Sequence, residues 1–139
     1  MSVVFVDSGA WIALIKRNDL LHDAARRHYQ RCVDERIGFV TTNYIVDETA
    51  TRLRYDVSLA AALDYRSRLL ALQTVGRARI FWIDEHTEEE GWRLMQQYAD
   101  LRLSLTDATS AAVARSARLT EIFGFDHHFE ALGFTVVPQ

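Results

Sequence analysis

The sequence predicts an α/β protein with a mainly parallel sheet. Short apolar runs alternate with stretches of helical periodicity along the chain, which is the pattern of repeated strand–helix–strand units. The only proline is Pro138, near the C-terminus, so none interrupts a predicted element. The chain has 139 residues, of which 49% are apolar. That is enough to build one core, and we expect residues 1–139 to form a single domain.

Five short apolar runs are the predicted strands. They are Val3–Val6 and residues 38–40, 79–83, 120–123 and 134–137. Val3–Val6 is short and continuous in apolar residues, as expected of a strand that is buried on both faces of a parallel sheet.

Helical periodicity fills the segments between these strands. The predicted helices cover residues 8–16, 44–54, 59–73 and 106–118. A further apolar stripe at helical spacing consists of Leu21, Ala24, Ala25, His28 and Cys32. Thr87 with Glu90, and Ser104 with Asp107, have the spacing of capping boxes at helix starts.

Composition and charge exclude several classes of protein. The net charge is −3, whereas a general nucleic-acid binder is usually strongly basic. A single cysteine, Cys32, excludes an internal disulfide and fits a reducing compartment. The first residues lack the features of a signal peptide, and no apolar run approaches the roughly 20 residues of a membrane span. We therefore expect a cytoplasmic protein with no membrane segment.

Two acidic residues follow predicted strands. Asp7 comes directly after the first strand, and Asp126 follows the run of residues 121–125. In parallel sheets, ligands bind just beyond the carboxyl ends of strands. Taken alone, each acid has a simpler interpretation, because Asp7 fits a helix N-cap and Asp126 an exposed loop.

Two further acids lie on predicted helices. Asp47 and Glu48 are adjacent, so one faces inward and the other faces solvent, but the pattern does not decide which. Asp107 falls in the first turn of an alanine-rich helix, where an acid stabilises the helix start. That role is compatible with a ligand site, because a helix N-terminus also favours anions such as phosphate.

Clustered carboxylates without cysteine or histidine ligands indicate a hard metal ion. Such a cluster is unfavourable unless a cation neutralises it, and oxygen ligands suit Mg²⁺ or Mn²⁺. The five histidines and the single cysteine do not have zinc-site spacing. No glycine-rich phosphate loop and no serine nucleophile motif occur. A phospho-aspartyl enzyme is also disfavoured, because Gly9 stands where a phosphatase needs a second Asp and Lys16 is the only lysine.

Four segments resemble the sequence motifs of PIN domains, in the order that the family has them. Val3–Val6 is followed by Asp7, Ser8 and an apolar helix, like the first motif, and "TNYIVDE" resembles the second. "SLTDATSAAVA" and "FGFDHHFEALGF" resemble the third and fourth. Length and the fourth motif are most similar to VapC-type toxins of toxin–antitoxin pairs.

The resemblance implies a three-layer α/β/α sandwich on a five-stranded parallel sheet. It also implies a Mg²⁺- or Mn²⁺-dependent endoribonuclease, a homodimer and a cognate antitoxin that blocks the active site. The four catalytic and metal-binding acids of the family correspond to Asp7, Glu48, Asp107 and Asp126.

One position departs from the family pattern. Gly124 stands two residues before the fourth acid, where the family usually has Thr or Ser. This position keeps one alternative open, a PIN-like RNA- or protein-binding module that has lost turnover. A nuclease that cleaves DNA is a further alternative, because related metal-dependent nuclease folds act on DNA.

Overall fold

A five-stranded parallel sheet forms the centre of the structure, a computed structural model that describes residues 2–139. The strands are β1 (Val3–Val6), β2 (Gly38–Thr42), β3 (Ala78–Phe81), β4 (Glu121–Phe123) and β5 (Thr135–Val137). Their order across the sheet is β3–β2–β1–β4–β5, and every neighbouring pair is parallel. All five predicted strands are confirmed, with ends that differ by one or two residues.

Seven α-helices connect and follow these strands within residues 2–139. They are α1 (Ser8–Ile15), α2 (His22–Asp34), α3 (Asn43–Asp56), α4 (Leu59–Thr74), α5 (Glu85–Gln97), α6 (Leu105–Ser116) and α7 (His128–Ala131). A short 3-10 helix, Ala99–Leu101, lies between α5 and α6. The predicted α/β class is therefore confirmed, whereas the single turn of α7 was not predicted.

The helices form two layers, one on each face of the sheet. The chain moves from β1 through β2 to β3 in one direction and then crosses back to β4 on the other side of β1. Because crossover connections between parallel strands are right-handed, α1–α4 cover one face and α5–α7 the other. In agreement, α1 packs on α2, α3 and α4, whereas α5 packs on α6.

Burial explains the apolar character of the central strands β1 and β4. Phe5 and Val6 of β1 and Ile122 and Phe123 of β4 have no solvent exposure, since helices cover both sides of these strands. The edge strand β3 is only partly buried. Cys32 is buried on α2, as its position on the apolar stripe predicted, and burial raises the pKa of its thiol.

Helix starts give one confirmed and one wrong prediction. At α6, Ser104 and Asp107 form the predicted capping box. The predicted box of Thr87 and Glu90 is wrong, because Asp84 is the N-cap of α5 and its carboxylate accepts a hydrogen bond from the Thr87 backbone N–H at 2.8 Å. An acid at the N-cap satisfies a free backbone donor, so α5 begins before Thr87.

None of the helices in residues 2–139 combines the length and the apolar character that crossing a bilayer requires.

Candidate active site

The candidate site lies where the strand order reverses. From β1 the chain turns to β2 on one side, and β4 later pairs with β1 on the other side. Asp7 follows β1 directly, and its backbone N–H donates to the Phe123 carbonyl at the end of β4, at 2.9 Å. Asp126 follows β4 by three residues. Ligands of open α/β sheets bind at this reversal point, outside the carboxyl ends of the strands.

One cleft brings all four predicted acids together. It has a volume of about 400 Å³. Its walls include Asp7, Glu48, Asp107 and Asp126. Glu48 comes from α3 in one helical layer, and Asp107 comes from α6 in the other. The cleft therefore spans the edge of the sheet between the two layers.

Asp7 is the buried acid of the cleft, with a relative exposure of 4%. It occupies the N-cap position of α1, but its side chain makes no capping hydrogen bond. Its Oδ1 atom is buried without any hydrogen-bond partner. Asp7 therefore occupies the N-cap position of the backbone, but helix capping does not explain why its carboxylate is buried.

The electrostatic environment of Asp7 opposes its ionisation. Burial, and then the negative charges of Asp107, Glu48 and Asp126, raise the pKa of Asp7 from 3.8 to about 7. A carboxyl group whose pKa is raised by burial and by like charges in a cleft is typical of a functional site.

Glu48, rather than Asp47, faces the cleft. Asp47 is exposed and Glu48 is half-buried, which decides the question that the sequence left open. The Ser8 hydroxyl donates a hydrogen bond to Oε1 of Glu48 and so links α1 to α3. This bond fixes one carboxylate oxygen of Glu48 and leaves the other available.

Asp107 and Asp126 are each held by local backbone hydrogen bonds. Oδ2 of Asp107 accepts from the Ser104 backbone N–H at 3.1 Å, within the capping box. Oδ1 of Asp126 accepts from the His128 backbone N–H at 3.0 Å and lies 3.1 Å from Nδ1 of the same histidine. Burial raises the pKa of Asp107. Its hydrogen bonds with the backbone and side chain of Ser104 lower this pKa, and the negative charge of Asp126 raises it further.

Gly124 is buried and lies directly against the side chain of Asp7. A Cβ atom at position 124 would lie 3.0 Å from Cβ of Asp7 and 3.5 Å from its Oδ2. Such a contact is tight, so a glycine at position 124 avoids a steric conflict with the side chain of Asp7. The departure from the family pattern therefore falls on the residue that touches the most perturbed acid.

Several residues of the cleft were missed by sequence reasoning. Ser8 orients Glu48, and Asp19 and Arg52 also line the cleft. Helical spacing is the signal for Arg52, which follows Glu48 by four residues on α3. Asp19 lies in a turn, where no periodic pattern marks it.

The four carboxylates of the cleft offer oxygen ligands, which suit a hard divalent ion. One oxygen each of Glu48, Asp107 and Asp126 is held by a hydrogen bond, and Oδ1 of Asp7 is buried without a partner. As the side chains stand, however, no three His, Cys, Asp or Glu residues in the described part of the chain converge on one point. Binding an ion would require the half-buried carboxylates to rotate toward Asp7.

Comparison with known proteins assigns the family. The profile of the PIN domain matches residues 4–135, which is nearly the whole chain. The chain belongs to the PIN-domain family.

Two curated relatives and two solved structures are similar over most of their length. The 23S rRNA-specific endonuclease VapC20 of Mycobacterium tuberculosis is 30% identical over 135 residues, covering 97% of this chain and 98% of the relative. Ribonuclease VapC26 of the same species is 27% identical, covering 97% and 100%.

The crystal structure of VapC20, described as a sarcin–ricin loop cleaving toxin, matches with a TM-score of 0.85 and 28% identity, covering 96% of this chain and 97% of that one. PAE2754 from Pyrobaculum aerophilum matches with a TM-score of 0.64 at 18% identity, covering 99% and 90%, which shows the fold alone.

Proposed function

We propose that this protein is a metal-dependent endoribonuclease and the toxin of a VapBC-type pair. The observation that carries the proposal is the buried carboxyl group of Asp7, whose Oδ1 atom has no hydrogen-bond partner, among three other carboxylates. Folding normally avoids such a cluster, because the like charges repel one another and burial removes their hydration. A cation bound in the cleft would remove both penalties.

The relatives support the reaction class and suggest a first substrate to test. VapC20 and VapC26 are named as an endonuclease and a ribonuclease, and both align over nearly all of this chain. VapC20 is described as acting on 23S rRNA and on the sarcin–ricin loop. A structured RNA containing that loop is therefore the first substrate we propose.

The site residues have distinct proposed roles. Asp7 and Asp107 would be the main ligands of a Mg²⁺ or Mn²⁺ ion, and Glu48 and Asp126 would complete the set directly or through water. A bound ion supplies Lewis acidity and charge neutralisation for hydrolysis of a phosphodiester. Ser8 keeps Glu48 oriented, and the Ser104 capping box keeps Asp107 oriented.

We propose the partners from the family. A cognate antitoxin would block the acidic cleft, and two copies of the chain would form a homodimer. We also propose that residues 1–139 act as a single domain and that the protein works in the cytoplasm, where its RNA substrate is found.

Cleavage assays test the proposed function. Purified protein, freed of any co-purified partner, is incubated with total RNA and with a synthetic sarcin–ricin loop RNA. Parallel lanes contain Mg²⁺, Mn²⁺ or EDTA, and a DNA of matching sequence serves as the alternative substrate. We expect cleavage of RNA with either metal ion and none with EDTA.

The same assay addresses the alternatives. Cleavage of DNA in preference to RNA would contradict the ribonuclease assignment. Absence of cleavage with either metal, by folded and partner-free protein, would favour a binding module without turnover and would direct attention to Gly124.

A further inference from the structure

Arg52 is the one basic side chain among the residues that line the acidic cleft in the described part of the chain. The acidic residues of the cleft are Asp7, Asp19, Glu48, Asp107 and Asp126. Arg52 lies on α3, one turn after Glu48, so both side chains project from the same face of the helix. It is exposed to solvent at the margin of the cleft.

Arg52 forms no ion pair within residues 2–139, although five acids line the same cleft. Elsewhere on the helices, Arg31, Arg68 and Arg93 each pair with an acid three or four residues away. Glu48 stands at the favourable position for such a pair with Arg52, but its Oε1 is occupied by the Ser8 hydroxyl. Because Arg52 pairs with no acid among residues 2–139, its guanidinium is available to an incoming anion.

The electrostatics of the cleft create a need for such a group. Five acids line the cleft of a protein whose net charge is −3, and a polyanionic substrate is repelled by that arrangement. A bound divalent ion would neutralise part of the charge in the cleft, but the rest of the RNA backbone would still face acidic walls. A guanidinium offers planar, bidentate hydrogen bonding that matches a phosphate.

We propose that Arg52 is a positioning residue that binds a backbone phosphate of the RNA at the mouth of the cleft. The proposal rests on the ribonuclease function proposed above. Arg52 holds the substrate and does not touch the reacting atoms, so its loss raises KM more than it lowers kcat.

Arg54 offers a matched control on the same helix. It is exposed, like Arg52, but two residues further on it projects about 200° away around the helix. It does not line the cleft. Substitution of either residue removes one surface charge from α3, so only the position relative to the cleft differs.

The first test is steady-state kinetics on the synthetic sarcin–ricin loop RNA with Mn²⁺. For Arg52→Ala we expect KM to rise about tenfold, as for the loss of a charge-assisted hydrogen bond at an exposed site, with a smaller change in kcat. Arg52→Lys should recover part of the loss. Arg54→Ala should match the wild type, and equal thermal midpoints of all variants would exclude misfolding.

Salt dependence separates a phosphate contact from a structural effect. Loss of one phosphate contact should reduce the slope of log(kcat/KM) against log salt by about 0.7 to 0.9 for Arg52→Ala and leave it unchanged for Arg54→Ala. An unchanged KM and slope in Arg52→Ala would overturn the proposal.

RNA binding provides a readout that does not depend on turnover. Fluorescence anisotropy of the labelled RNA, measured in EDTA, should show weaker binding by Arg52→Ala and wild-type binding by Arg54→Ala. If the wild type binds but does not cleave, the proposed function fails and the role of Arg52 is still decided. Equal RNA affinity of Arg52→Ala and wild type would overturn that role in either case.

Discussion

Two clefts of the molecule differ in almost every property. The acidic cleft has a volume of about 400 Å³ and contains five acids and one arginine. A larger groove of about 770 Å³ lies between α1, α2 and α4. Aromatic and aliphatic side chains line it together with Arg17, Arg26 and Arg68, and no acid is among its lining residues.

The comparison shows that size and apolar character do not mark the candidate active site here. Helix α1 contributes to both clefts, with Ile12 facing the acidic cleft and Trp11 the larger groove. What distinguishes the acidic cleft is an ionisable group in an unfavourable environment, since the pKa of Asp7 is raised to about 7. The larger groove is lined by arginines and by no acid, which predicts different consequences for substitutions in the two regions.

The largest effect is expected for Asp7→Asn. Cleavage should fall by at least about 1,000-fold, because the variant loses the central carboxylate of a set that acts as a unit. The fold should survive, since Asn has nearly the same shape and no charge. Initial rates on labelled RNA measure the loss.

Asp47→Asn is the control for Asp7→Asn, because Asp47 is exposed on α3 and does not line the cleft. A fully active Asp7→Asn variant would refute the placement of the active site.

The stability of the metal-free protein should depend on the ionisation of Asp7. Its pKa is about 7 in the folded chain and near 3.8 when unfolded, so the folded state binds more protons between these values. The free energy of unfolding should therefore fall as the pH rises from about 4 to about 7, by roughly 4 kcal/mol at most.

Denaturant unfolding in EDTA at several pH values measures this contribution. Asp7→Asn should lack it and should be the more stable protein above pH 7. Equal stability of the two proteins at every pH would show that Asp7 is not destabilised by its environment.

A smaller effect is expected at Gly124. Gly124→Ala would place a Cβ atom 3.0 Å from Cβ of Asp7, and relief of that contact should cost roughly 1–3 kcal/mol of stability. Displacement of Asp7 should also lower cleavage by about tenfold or more.

Gly9→Ala is a matched substitution, because its added Cβ would meet nothing closer than 3.8 Å. Thermal unfolding and initial rates of both variants test the contact. A Gly124→Ala variant as stable and active as the wild type would show that the added Cβ atom does not displace Asp7.

The smallest effect is expected in the larger groove. Arg26→Ala removes an exposed charge that lines the groove and does not line the acidic cleft. Cleavage of naked RNA should change by less than about twofold, as for a surface substitution remote from the reaction. A loss as large as that expected for Arg52→Ala would show that both regions contact the substrate.

The parts of the fold that the sequence predicts are those set by local patterns. The strands fall in segments rich in apolar residues, and Ser104 with Asp107 forms the capping box that their spacing predicted. The predicted start of α5 was wrong because Asp84 and Thr87 are both suitable N-cap residues. The local sequence does not decide which of two suitable residues begins the helix.

The candidate site depends more on packing between distant elements. Asp47 and Glu48 are adjacent, and only the packing of α3 against α1 decides that Glu48 faces the cleft. The same packing brings Ser8 to Glu48 across 40 residues of sequence. The contact between Gly124 and Asp7 likewise depends on the pairing of β1 with β4.

Calorimetric titration with Mn²⁺ tests the central claim most directly, namely that four carboxylates form one metal site. The proteins to titrate are the wild type and the variants Asp7→Asn, Glu48→Gln, Asp107→Asn and Asp126→Asn, with Asp47→Asn as the control. We expect the wild type and the control to bind Mn²⁺ equally, and each of the four variants to bind at least about tenfold more weakly. No binding by the wild type, or equal binding by all the variants, would contradict the account.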